Sequence, residues 1–195
     1  MKIIGLTGGI GMGKSTAANA FRRARIPVFD ADAAVHALQA PGGRALPAIA
    51  AAFPGTVADG RLDRPALREA VLGKPEELRR LERIIHPLVR KAEQGAIARA
   101  RRAGKPAIVL DIPLLLETGG QKRVDQVMVV SAPRAVQVHR VRARGRMDEA
   151  QIEAVIARQM PDARKRKLAD VVVQTGLSRH HALRAVRRVI RELRA

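Results

Sequence analysis

Gly8-Gly9-Ile10-Gly11-Met12-Gly13-Lys14-Ser15 matches the spacing G-x-x-x-x-G-K-[ST], and Thr16 continues it. Lys2-Ile3-Ile4-Gly5-Leu6-Thr7 ahead of it reads as a buried strand, and Ala17-Ala18-Asn19-Ala20-Phe21 behind it reads as the start of a helix. A strand, a glycine-rich turn and a helix in this order form a loop that binds phosphate. Glycine lets the backbone curl through dihedrals other residues avoid. The loop N–H groups and the helix N-terminus then face phosphate oxygens. Gly11, Met12, Gly13, Lys14, Ser15 and Thr16 are therefore the expected nucleotide contacts. Lys14 is a mobile charge for the β- and γ-phosphates, and the Ser15 hydroxyl can ligate Mg²⁺.

The flanking chain sets the fold class. Apolar runs at Ile26-Pro27-Val28-Phe29, Ala107-Ile108-Val109-Leu110-Asp111, Gln126-Val127-Met128-Val129-Val130 and Val171-Val172-Val173 read as strands. Helices are expected at 33–39, 45–53, 76–103, 114–122, 134–144 and 178–194, and around 66–72. Alternating strands and helices predict a parallel sheet with right-handed crossovers. The class is α/β, a three-layer P-loop NTPase fold with a five-stranded parallel sheet, helices on both faces, a helical substrate lobe and a lid. The expected core is 1–40, 104–139 and 165–195, with the lobe at about 41–103 and the lid at about 140–164. Asp63 is expected to cap the helix after it, Gly73 to end that helix, and Pro87 to kink or divide the long one.

Ligands in such sheets collect at the carboxyl ends of the strands. By that rule the loop, Asp30, Asp32 and Asp111 converge. Asp32, just past the second strand, can orient an acceptor hydroxyl and take its proton. Asp30 and Asp32 can equally be N-caps of the next helix. Asp111 ends an apolar strand, as does the carboxylate that holds Mg²⁺ directly or through water, and it can equally be a turn residue before Pro113. Arg140, Arg142, Arg144 and Arg146 form a run that can close over a polyphosphate or can be a solvated basic face. His86, before Pro87 in the long helix, has a packing or capping alternative, and the other histidines lack metal-ligand spacing.

Composition narrows the partners. The chain of 195 residues is 47% hydrophobic and has no apolar run near the ~20 residues of a membrane span. Nothing at its start reads as a signal peptide. It contains no cysteine, which excludes disulfides and thiolate metal sites, and the expected location is the cytoplasm. A formal charge of +19 invites a nucleic-acid reading, but aromatics are 2%, without Trp or Tyr, so stacking platforms are missing. The basic residues fall largely on amphipathic helix faces, as in Arg184-Ala185-Val186-Arg187-Arg188-Val189-Ile190-Arg191. No obligate nucleic acid and no membrane is expected as partner.

Beyond the loop, Asp30-Ala31-Asp32, Leu62-Asp63-Arg64 with Leu67, and Ile85-His86-Pro87 follow in order. Then come Asp111-Ile112-Pro113-Leu114-Leu115-Leu116-Glu117, Arg140 and Arg144, Gln159-Met160-Pro161, Lys165 and Ala169-Asp170. In this arrangement the chain resembles the dephospho-CoA kinase family over essentially its whole length. The resemblance implies ATP-dependent phosphorylation of the ribose 3′-hydroxyl of dephospho-CoA, giving coenzyme A and ADP, with Mg²⁺. It implies a nucleoside-monophosphate-kinase-like fold, acting as a monomer or small homo-oligomer. Carried over, Asp32 is the hydroxyl-activating base, Lys14 a catalytic cation and Arg140 a lid arginine. Asp30, His86 and Asp111 then serve the acceptor, and Ser15 and Asp111 the metal. Met12 stands where the family usually has Ser, Val155 where the lid often has Arg, and Thr175-Gly176 where a turn usually contains Asn. Arg158 or Arg144 can substitute for the lid arginine, and adenine is left to Arg and aliphatic side chains. A P-loop kinase of another small hydroxylated acceptor and a nucleic-acid-binding NTPase remain the alternatives.

Overall fold

The computed structural model describes residues 1–145 and 147–194, so Arg146 of the arginine run lies outside the described residues. Five strands form one parallel sheet: β1 (Lys2–Thr7), β2 (Val28–Asp30), a strand at Ala107–Asp111, one at Gln126–Ser131 and one at Val171–Gln174. A separate hairpin, β3 (Val57–Ala58) and β4 (Arg61–Leu62), makes the last three β5, β6 and β7. The sheet order is β2-β5-β1-β6-β7. β1 is thus central, and the chain leaves its carboxyl end straight into the phosphate loop.

The strand period of two divides the sheet residues between two cores. Ile4, Leu6, Val109, Met128, Val130 and Val173 join Ala17, Ala18 and Phe21 of α1 (Lys14–Arg23) and Val186, Val189 and Ile190 of a C-terminal helix (Arg179–Glu192). Val127 and Val129 face the other way, onto Leu115 and Leu116. Register then fixes the site. β1 pairs β5 with Leu6 opposite Asp111, so the last residue of β5 lies beside the exit of β1.

The chain divides into two compact units, Met1–Phe29 with the chain from Arg99 onward, and Asp30–Ala98. The second unit holds α2 (Ala31–Leu38), α3 (Leu46–Ala52), the hairpin, α4 (Arg64–Val71) and most of α5 (Pro75–Arg102). Its core is Ala45, Ile49, Phe53, Leu67 and Ile85, ringed by half-buried Leu, Val and Ala. Asp63 caps α4, its Oδ1 accepting from Ala66 N at 3.0 Å. The hairpin turns at Asp59-Gly60.

Of the outcomes expected at Pro87, division does not occur, the helix expected at 114–122 is replaced, and a stretch with no expected element holds two helices. α5 runs through Pro87 without division. Proline removes one ladder bond, but Pro87 and Arg83 both lie on the exposed side, where solvent can serve the released carbonyl. The expected helix at 114–122 is instead a series of turns followed by a short 3₁₀ segment, Gly120–Arg123. Leu115 and Leu116 are adjacent and both buried, whereas Leu114 is exposed, a pattern a regular helix face does not give. Gly119, at φ 68°, closes the turn. Beyond α6 (Arg134–Arg142), the lid stretch contains two helices, α7 (Glu149–Ala157) and α8 (Asp162–Lys167); the C-terminal helix is therefore α9. The signal for α7 was present: Asp148 and Gln151 form a reciprocal capping box.

Candidate functional site

The loop between β1 and α1 has the backbone its glycines allow. Gly11 and Gly13 sit at φ 75° and 90°, in the left-handed region. At Gly11 a side chain is also barred by space, because a Cβ would lie 2.8 Å from the Gln137 carbonyl oxygen. Gly13 is the N-cap of α1 and offers no side-chain cap, and the first turn of α1 has no acidic residue. By contrast, Asp30, Asp63, Asp148 and Ser178 cap α2, α4, α7 and α9 with their side chains. The start of α1 thus presents free N–H groups and the positive end of the helix dipole.

Lys14, the first residue of α1, points its ammonium at Asp111 Oδ1, and the two form an ion pair. Asp111 is almost wholly buried, at 3% exposure, so the pair is shielded from solvent screening. Ser15 lies beside it on α1 and is exposed. The Lys14 to Asp111 juxtaposition follows from the β1–β5 register and joins residues far apart in the chain.

The outer side of the loop is braced. Arg140 of α6 donates to the Thr175 carbonyl at 2.7 Å, to the Thr175 hydroxyl at 3.1 Å and to the Gly11 carbonyl at 3.5 Å. The Thr175 hydroxyl donates to the Met12 carbonyl at 2.7 Å. Met12 itself is buried, and its sulfur accepts from Ala132 N at 3.1 Å. Arg140 is therefore built into the support of the loop, on α6 before the lid helices. Gln137 and Gln159 also touch the loop, at Ile10. Sequence reading quoted Gln159 only as part of a motif, without a role, and passed over Gln137. For Gln137 a signal existed: a polar residue on the buried side of α6 between Val136 and Val138.

Beside the loop, Gly11, Gly13, Thr16, Val173, Thr175, Arg140, Arg144, Arg179 and Leu183 border a cleft of about 390 Å³. Its floor is aliphatic and its rim cationic, with no aromatic residue.

In the other unit, Asp30 caps α2, accepting from Ala33 N at 3.0 Å. Asp32 stands exposed in the first turn of α2, and His86 stands exposed on α5. Asp63-Arg64 follows β4, and the Arg64 guanidinium lies 3.4 Å from both Gln39 Oε1 and His36 Nδ1. Among the described residues no group of three or more His, Cys, Asp or Glu side chains could hold a metal. Among the described residues no helix is long and apolar enough to cross a membrane.

Comparison with known proteins adds an independent line. Residues 2–179 match the family model described as dephospho-CoA kinase. A dephospho-CoA kinase of Gluconobacter oxydans is 54% identical over 198 residues, covering 100% of this chain and 98% of that one. A crystal structure of a Thermus thermophilus protein is 37% identical, with TM-score 0.85, covering 98% of this chain and 97% of that one. A dephospho-CoA kinase structure from Campylobacter jejuni has TM-score 0.68 at 22% identity, covering 98% and 97%, a likeness of fold.

Proposed function

Because the chain belongs to the dephospho-CoA kinase family, we propose that it transfers the γ-phosphoryl of ATP to the ribose 3′-hydroxyl of dephospho-CoA, giving coenzyme A and ADP. The observation that carries this reading is the braced glycine loop leading into an uncapped helix, with Lys14 held on the buried carboxylate of Asp111. Phosphoryl transfer asks little covalent work of a protein; it asks for alignment and neutralisation of charge.

The loop N–H groups and α1 hold the β- and γ-phosphates. Lys14 exchanges its carboxylate partner for phosphate oxygens and spreads positive charge over the transferring group. The cleft bordered by Val173, Leu183 and the three arginines takes the adenine, with aliphatic contact on its faces and guanidinium contact at its edges. Ser15 and Asp111 are the residues that would hold Mg²⁺. One hydroxyl and one carboxylate suit an ion that keeps waters and takes most other ligands from phosphate. When bound there, Mg²⁺ would supply positive charge against the phosphates.

Asp32 is the base in this reading. It is an exposed carboxylate, outside any cap bond, two residues past the end of β2. It accepts a hydrogen bond from the 3′-hydroxyl and takes its proton as the new P–O bond forms. Asp30 sets the start of α2 and so the placement of Asp32, while His86 on α5 contributes to holding the acceptor. Arg140 acts on the transferred charge through the loop that it braces. Lid and lobe are assigned to 140–164 and 41–103. The absence of cysteine and of a membrane-spanning helix among the described residues supports a cytoplasmic enzyme.

The test is ADP release by purified protein with Mg-ATP, with and without dephospho-CoA. Acceptor-dependent release of one ADP per coenzyme A is expected. Equal release with and without dephospho-CoA would refute the assignment.

A further inference from the structure

We propose that Gln159 and Gln137 are a pair of positioning residues for the phosphate loop, and that the ion pair of buried Lys165 with half-buried Glu117 serves to hold Gln159 in register. The inference rests on reading the loop as the donor-phosphate cradle.

Both backbone polar groups of one residue, in two successive peptide units, are gripped. Ile10 N donates to Gln159 Oε1 at 3.0 Å, and the Ile10 carbonyl accepts from Gln137 Nε2 at 2.9 Å. Two amides on one residue fix the direction of its N–H and C=O together. Ile10 immediately precedes the Gly11 to Gly13 turn, so its orientation is inherited by the N–H groups that follow. Gly9 makes the approach possible: a Cβ there would lie 3.1 Å from Gln137 Nε2 and 3.2 Å from Gln159 Oε1.

The two glutamines come from different supports. Gln137 is 3% exposed on α6. Gln159 lies at the join of α7 and α8, and its neighbour Met160 donates N–H to Glu117 Oε1 at 3.0 Å. The same oxygen lies 2.7 Å from Lys165 Nζ, and the Lys165 side chain is 1% exposed. A buried ion pair is a poor device for stability, because desolvation consumes most of its Coulomb gain. Here the second oxygen, Glu117 Oε2, is buried without a hydrogen-bond partner among the described residues. What the pair does supply is register. It pins the α7–α8 join to the turn after β5, and thereby sets where the Gln159 carbonyl meets the loop.

The α7–α8 join therefore reports to the phosphate loop through a single residue, Ile10. Any displacement of α7 that shifts Gln159 releases the Ile10 N–H, and the loop loses its preset form.

The test is a double-mutant cycle on ATP affinity, measured by titration calorimetry well below the thermal midpoint, a readout that needs no acceptor. Gln159→Met and Gln137→Met keep side-chain length and remove the polar contacts. Each is expected to weaken ATP about fivefold, the scale of one hydrogen bond. The double variant is expected to weaken it by about the same factor, since either loss lets the same residue, Ile10, turn. Multiplying losses, or affinities within twofold of wild type in both single variants, overturn the proposal. Gln159→Asn, which is too short to reach and stays polar, repeats the reading if Gln159→Met fails to fold. Turnover of wild-type protein with dephospho-CoA, measured beside these, separates failure of the kinase assignment from failure of the positioning pair.

Discussion

The two units treat their functional groups in opposite ways. Around the phosphate loop most of the named groups are tied: Lys14 to Asp111, Arg140 to Thr175 and Gly11, and Ile10 to two glutamines. In the 30–98 unit, Asp32 and His86 are exposed, and the surrounding core is small. A polyphosphate is the same in every donor nucleotide, so its cradle can be rigid. An acceptor sugar must be admitted, aligned and released in each turnover, and the groups proposed to serve it stand on solvent-facing positions of α2 and α5. Rigidity belongs to the constant part of the reaction and openness to the variable part.

The contrast is most sharply tested at Asp32. Asp32→Asn removes the proposed base at an exposed position, so turnover is expected to fall about 10²–10⁴-fold, with ATP affinity and thermal midpoint near wild type. Coupled ADP assay and calorimetry measure both, and an equal loss of ATP binding would make Asp32 structural. Lys165→Met is the opposite case. It strips a buried partner from Glu117, and a cost of about 3–5 kcal/mol is expected. That lowers the thermal midpoint on the order of 10 °C in a chain of this size, as followed by scanning calorimetry. Gly11→Ala comes next. The left-handed backbone and the 2.8 Å approach to Gln137 are expected to cost about 1–3 kcal/mol and to weaken ATP more than dephospho-CoA. The smallest effect is expected for Asp63→Ala, which loses a single cap in the other unit, about 1 kcal/mol, with ATP affinity unchanged. If the cap variant disturbed ATP binding as much as Gly11→Ala, the division of labour between the units would not hold.

The parts readable from sequence were those whose physics is local. The loop announces itself through glycine spacing between a strand and a helix. The strands announce themselves through unbroken apolar runs. Asp111 was readable from its place at the end of such a run, although its grip on Lys14 depends on the register between β1 and β5. What stayed hidden needed contacts across the chain. Arg140 drew attention as one of a basic series, whereas its partner Thr175 looked only like a departure from a family turn. In space the threonine hydroxyl ties Met12 to Arg140. Gln159 stood inside a recognisable motif, but nothing along the chain indicates that its carbonyl meets Ile10. The lid helices were missed because the arginines drew the eye past the Asp148–Gln151 box.

The bare amino end of α1 also bears on how robust this protein is in a cell. Four other helices bring their own oxygen to close the first turn, and α1 brings none. Nucleotide bound as proposed would supply that missing acceptor, so part of the folding free energy would arrive with it. At a hundredfold excess over its dissociation constant, a ligand adds about 2.7 kcal/mol. Starvation for ATP would thus slow the enzyme and at the same time leave it easier to unfold.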